Sequence, residues 1–80
     1  MTTREQLSTR NRFYAALRRA RNDAGLTQAE LAARLDQPQS FVSKYETGER
    51  RIDFIELREI CKSIGIPVLS FIRSFEGESE

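Results

Sequence analysis

Two short stretches of the chain carry the same device for starting a helix, and together they constrain the fold more than any other feature. In Leu26-Thr-Gln-Ala-Glu-Leu31, the Thr27 hydroxyl can accept the backbone N–H of Glu30 while the Glu30 side chain reaches back to Thr27, and Leu26 can pack on Leu31 across the cap. In Ile52-Asp-Phe-Ile-Glu-Leu57 the arrangement recurs, with Asp53 as cap, Glu56 reaching back and Ile52 facing Leu57. A capping box with a hydrophobic staple satisfies the orphan donors of a first helical turn and fixes the angle at which the chain enters it. Gly25, Pro38, Gly48, Gly65 and Pro67 punctuate the rest. The five segments so divided space their apolar residues by three and four, and strand-like alternation is absent. The pattern predicts an all-α fold with helices over about 10–24, 28–35, 38–46, 54–64 and 67–75.

Each segment has a distinct face. Phe13, Ala16, Leu17, Ala20 and Ala24 form one stripe that stops at Gly25, with Arg12, Arg18, Arg19 and Arg21 around it. Residues 1–9 are polar apart from Met1 and Leu7, and form either a loose arm or an extra helical turn or two. Leu31, Ala32 and Leu35 are the buried side of the second helix. The third, with Pro38 at its first helical position, turns Val42 and Tyr45 inward and sets Gln39, Ser40, Ser43, Lys44 and Thr47 on the opposite face. Such a row of amide, hydroxyl and ammonium groups has the chemistry needed to read base edges. Leu57, Ile60, Cys61 and Ile64 line the fourth helix. The fifth holds Val68, Leu69, Phe71, Ile72 and Phe75, more apolar surface than a small core absorbs. Val68 and Phe71 are therefore expected in the core, and Leu69, Ile72 and Phe75 at a dimer interface with a second copy of the chain. Residues 76–80 read as an acidic tail.

Composition removes whole classes of function. At 80 residues the chain is one domain that buries about 60–65% of its unfolded surface. One cysteine and no histidine supply neither a zinc site nor a histidine-based catalytic pair, so no metal, cofactor or catalytic residue is expected. Cys61, on an inner stripe, reads as a small buried hydrophobe. A single thiol, no apolar run of about 20 residues and no signal-peptide core point to a cytoplasmic protein without a membrane partner. The net charge of +1 hides an asymmetry. Residues 1–51 hold ten Lys/Arg against six Asp/Glu, a balance of +4, while residues 52–80 hold three against six, a balance of −3. One half suits a polyanion and the other does not.

Two short helices joined by Asp36-Gln-Pro38, the first firmly capped and the second displaying a polar face, match a helix-turn-helix. The stretch Leu26-Thr-Gln-Ala-Glu-Leu-Ala-Ala-Arg-Leu35, followed by Pro38-Gln-Ser-Phe-Val-Ser-Lys-Tyr-Glu-Thr-Gly48, resembles the phage repressor/Cro-like (XRE-like) helix-turn-helix family. With Arg50, Ile52 and Ile60-Cys-Lys-Ser-Ile-Gly-Ile66, the resemblance covers roughly residues 10–75. It implies a five-helix lambda-repressor-like domain. It also implies that Gln28 meets a DNA phosphate, that Gln39 reads a base, and that Ser40, Ser43 and Lys44 continue the reading face. Thr47, Arg50 and Arg51 fall where the family contacts the backbone, and Arg21 and Glu46 where some members form a pair that orients the recognition helix. Phe41 either touches a thymine methyl or packs against the second helix. Asp36 and Gln37 depart from the pattern, standing where the family usually has a glycine and an apolar turn residue.

The expected function is therefore a sequence-specific regulator of transcription that binds double-stranded DNA, similar to small controller-type regulators. One short helix reads only a few base pairs, so a homodimer on a palindromic operator is expected, with half-sites about 34 Å apart. With no room for a ligand-binding domain, no small-molecule ligand is expected. The alternative is a protein-interaction adaptor or antitoxin component of the same fold with little DNA affinity of its own.

Overall fold

The computed structural model describes residues 3–77. Five helices follow one another: α1 (Arg4–Asp23), α2 (Gln28–Arg34), α3 (Gln39–Glu46), α4 (Phe54–Ile64) and α5 (Val68–Gly77). Both expected capping boxes form. Thr27 Oγ1 accepts from Glu30 N at 3.0 Å and Glu30 Oε1 from Thr27 N at 2.8 Å, while Asp53 Oδ1 accepts from Glu56 N at 2.7 Å and Glu56 Oε1 from Asp53 N at 2.9 Å.

A third box opens α1. Thr3 Oγ1 accepts from Gln6 N at 3.1 Å and Gln6 Oε1 from Thr3 N at 3.0 Å, so the helix extends back to Arg4. Of the two alternatives for residues 1–9, the described part takes the helical one, and residues 1 and 2 lie outside it. Pro38 is not the first helical residue: at ψ 155° it caps α3, its carbonyl accepting from Phe41 N at 2.9 Å. Its ring fixes φ near the value it has here, −68°, and the extended ψ lets the short connection over residues 35–38 change direction. Pro67 likewise precedes α5, its carbonyl accepting from Ser70 N and Phe71 N. That helix takes in Glu76 and Gly77, so the expected acidic tail begins inside it, and residues 78–80 lie outside the described part.

The turns that separate the middle helices share one geometry. After α2, Asp36 adopts φ 56°, and Asp36 N and Gln37 N return to the carbonyls of Ala33 and Ala32 at 3.1 and 2.9 Å. After α3, Gly48 at φ 83° does the same, with Gly48 N on Tyr45 O and Glu49 N on Lys44 O. These are left-handed stops that satisfy the last carbonyls of a helix. Aspartate is among the few side-chain-bearing residues that tolerate the geometry.

The helices close over one core. Tyr14 and Leu17 of α1, Leu31 and Ala32 of α2, Val42 and Tyr45 of α3, Leu57, Ile60, Cys61 and Ile64 of α4 and Phe71 of α5 are all buried. The α1 stripe is rotated from the one expected: Tyr14, Leu17 and Arg21 are its centre, Phe13, Ala16 and Ala20 its half-buried margin, and Ala24 is exposed. The rotation has a physical reason, since Tyr14 fills core volume that alanines cannot and Arg21 is buried because it is paired. Ala32, 1% exposed, lets α3 cross close to α2, and Arg34 Nη1 donates to Ser63 O at 2.9 Å, tying α2 to α4. Among the described residues no helix is long and apolar enough to cross a membrane.

Candidate nucleic-acid interface

Eight residues make α3, and at 3.6 residues per turn they sort into faces. Val42 and Tyr45 point into the core with no exposed surface. Gln39, Ser40, Lys44 and Thr47 are exposed and Ser43 half-exposed on the other side, one surface of short polar groups. Phe41 and Glu46 occupy the two borders between these faces. Each is the start of a chain of contacts that holds the helix.

On the Glu46 border, Arg21 of α1 grips the carboxylate with both arms of its fork. Nε donates to Oε2 at 2.8 Å and Nη2 to Oε1 at 3.0 Å, while Nη1 donates to Leu26 O at 2.8 Å. The Arg21 and Glu46 side chains are 8% and 2% exposed. The hydrogen bond to Glu46 raises the pKa of Arg21, outweighing the opposite effect of burial. Gln28, on the first turn of α2, donates from Nε2 to Glu46 Oε1 at 3.0 Å, and Gln39 Nε2 approaches Gln28 Oε1 at 3.5 Å. A polar chain thus runs from α1 through Glu46 and Gln28 to the outer face of α3. An amide nitrogen has two N–H groups, so Gln28 keeps one donor for another acceptor.

On the Phe41 border the ring stands edge-on to Tyr45, with centroids 5.6 Å apart and planes at 73°. Phe41 is half-buried and packs at the core margin beside Tyr45. Over its other side lies the Arg50 guanidinium, 4.6 Å from the ring centroid. Arg50 also donates from Nη2 to Glu56 Oε2 at 2.8 Å, and from Nη1 to Glu56 Oε1 at 3.3 Å and to Arg51 O at 3.0 Å. Hydrogen bonds from Arg50 and from Asp53 N hold the Glu56 carboxyl below its ordinary pKa. Arg50, of which a phosphate contact is expected, is thus engaged within the chain with its side chain 41% exposed, and Arg51 beside it is exposed. Thr47 is also committed in part, its hydroxyl donating to Lys44 O at 3.1 Å.

The helix-turn-helix family model matches residues 17–71, the segment that contains these contacts. The chain belongs to the XRE-like helix-turn-helix family. An XRE-family like protein from Pseudomonas syringae pv. tomato str. DC3000 is similar at 42% identity over 91% of this chain and 89% of that one, with a TM-score of 0.84. The clp gene regulator ClgR from C. glutamicum aligns at 28% identity over 90% and 94% of the two chains, with a TM-score of 0.78. The restriction-modification controller protein C.Esp1396I, solved as a tetramer with its natural 35 base-pair operator, shares the fold at 20% identity and a TM-score of 0.80, over 88% and 92%. No curated protein matches the chain.

XRE-like proteins are DNA-binding regulators, and the remaining expectations for this member concern its second surface. Leu69 is 65% exposed and Ile72 half-buried. Phe75 is turned largely inward, 5.9 Å from Phe13 and 6.4 Å from Phe71 between ring centroids, with the Arg12 guanidinium 4.9 Å from its own. Phe71 is buried and Val68 packs at the core margin. Phe54 and Ile55, 57% and 58% exposed at the start of α4, are exposed apolar residues not singled out from sequence. Their signal was available: both are large apolar residues off the 57-60-61-64 stripe. Tyr14 and the Arg50 contacts went unread as well, and for these only the assembled fold supplies a signal.

Proposed function

We propose that the chain is a sequence-specific transcription regulator that inserts α3 into the major groove of double-stranded DNA as a homodimer. The observation that carries this reading is the outer face of α3, a continuous row of Gln39, Ser40, Ser43, Lys44 and Thr47 on a helix fastened along both borders. Gln39, at the helix start, has the amide needed to pair with adenine, and Lys44 can donate to guanine or to a phosphate. Ser40 and Ser43 serve either partner. Gln28, with one donor remaining, and exposed Arg51 would take phosphates beside the groove. The Arg21–Glu46 pair orients α3, because a buried, forked pair between two helices permits one relative setting.

The homodimer follows from reach. A recognition helix this short covers a few base pairs, and a two-fold arrangement places two of them one helical turn, about 34 Å, apart. The molecule measures 34 × 25 × 20 Å, so two copies side by side span that distance without a linker. Exposed Leu69 and half-buried Ile72 are the apolar residues of α5 on which the two copies would meet, with Phe75 at their inner edge.

Selection of bound sequences from a random duplex pool tests the proposal. Enrichment of a palindrome with half-sites about one turn apart is expected. Recovery of no preferred sequence, with binding to a protein partner that persists at high salt, would overturn it in favour of the adaptor. Leu69→Arg should shift sedimentation towards monomer and weaken operator binding, leaving the helical signal intact.

A further inference from the structure

We infer that Arg50 is a positioning residue that braces the recognition helix against α4, leaving the phosphate contact in that loop to Arg51. The inference rests on the reading of α3 as the DNA-contacting helix. Its ground is the convergence of three contacts on one guanidinium. The flat face lies 4.6 Å from the Phe41 ring on the first turn of α3. The fork engages both oxygens of Glu56 on the first turn of α4, at 2.8 and 3.3 Å. The same Nη1 reaches the backbone carbonyl of Arg51 at 3.0 Å.

Each partner is itself anchored. Phe41 abuts Tyr45, which has no exposed surface. Glu56 closes the capping box of α4 through Asp53 N. Arg50 therefore joins the first turns of two helices across the loop between them, opposite the border where Arg21 holds Glu46. A rotation of α3 about its axis, which would carry Gln39 and Ser43 out of register with the bases, has to move Phe41 from beneath the guanidinium. The chemistry demands arginine. Only a planar, forked cation can stack on a ring and chelate a carboxylate at once, whereas a lysine ammonium is a point charge that does neither together. Two of the five N–H groups of Arg50 remain uncommitted, but a fork held on Glu56 and stacked on Phe41 is not free to follow a phosphate, whereas exposed Arg51 is.

The test uses the operator recovered from the duplex pool and one-base variants of it, with affinities measured over a range of salt for the full chain and for Arg50→Lys, Arg50→Ala, Arg51→Ala and Phe41→Leu. Arg51→Ala should lower the slope of log affinity against log salt by about 0.9. Arg50→Lys and Arg50→Ala should leave that slope unchanged and reduce discrimination against one-base variants by about fivefold or more, the low end for one misplaced base contact. Phe41→Leu should lose the same discrimination, with no further loss when combined with Arg50→Lys. Wild-type discrimination in Arg50→Lys, or a slope lowered by about 0.9 in Arg50→Ala, would overturn the inference. A second measurement needs no DNA. Unfolding of Arg50→Lys, Phe41→Leu and the double variant in urea should be non-additive, and additive losses would count against the brace. Failure of the wild-type chain to select any duplex would sink the proposed function, and the unfolding cycle would then decide the brace alone.

Discussion

Removing the guanidinium of Arg21 while keeping its stem, as in Arg21→Met, is the sharpest perturbation this fold offers. The Glu46 side chain is 2% exposed and receives two hydrogen bonds from Arg21 and one from Gln28. The variant strands a buried carboxylate with one neutral donor, and also strips the Leu26 carbonyl of its partner. Breaking one side of a buried pair costs about 3–5 kcal/mol. A domain of 80 residues is stable by roughly 4–12 kcal/mol, so the loss takes up much of the total. At about 4–8 °C per kcal/mol the midpoint should fall by about 12–40 °C. Replacing both partners, Arg21→Met with Glu46→Leu, removes the stranded charge and should restore most of the loss. Urea and thermal unfolding followed by circular dichroism would measure all four members of the cycle. If Arg21→Met costs less than about 1 kcal/mol, or the double variant is no more stable than it, the pair is not the buried tie described above. The double variant also separates stability from orientation. Gln28 loses its Glu46 acceptor there, so operator discrimination should stay impaired in a chain that melts near the wild-type temperature.

Three further outcomes follow from single features. Asp36→Gly relieves a left-handed aspartate at φ 56° and should stabilise the chain by about 0.5–1 kcal/mol in urea unfolding; a loss of stability would mean that the Asp36 side chain does something its backbone position does not explain. Glu56 has a native pKa below its unfolded one, so its contribution is present above the ordinary carboxylate range and fades as pH falls through the lowered value. Glu56→Gln, which keeps the capping geometry, should accordingly flatten the acid limb of the stability–pH curve, and an unchanged limb would contradict the assignment. Cys61 is 1% exposed with its pKa raised by burial, so a thiol reagent should label native protein about 10³-fold or more slower than urea-unfolded chain; equal rates would place the thiol outside the core.

What could be read from the chain and what could not divides by the distance over which the physics acts. The caps at Thr27 and Asp53 depend on a few consecutive residues, and their hydrogen bonds form as the spacing implies. Thr3 and Gln6 carry the same spacing, yet no apolar periodicity follows them closely enough to mark a helix start, and residues 1–9 stayed open. Pairing of Arg21 with Glu46, 25 residues apart, entered only through family resemblance, because nothing local distinguishes one arginine of α1 from its neighbours. Tyr14 sits among those arginines, and its burial depends on where α3 crosses. The Phe41–Arg50–Glu56 contacts lie further still from sequence pattern, since they require the exit angle that Gly48 sets. Phe75 illustrates the converse: an apolar surplus was visible in α5, but the share absorbed by α1 depends on the Phe13 ring.

The two helices of the reading unit have seven and eight residues. Isolated helices shorter than about 12–15 residues are marginal in water, so α3 exists as a helix only while the core beneath it is assembled. No partly folded chain carries a functional reading surface, and a peptide spanning residues 26–48 would present none. Occupancy of an operator then tracks the folded fraction of the population as closely as it tracks concentration. Any core substitution that raises the unfolded fraction silences the regulator in proportion, without altering a single contact to DNA.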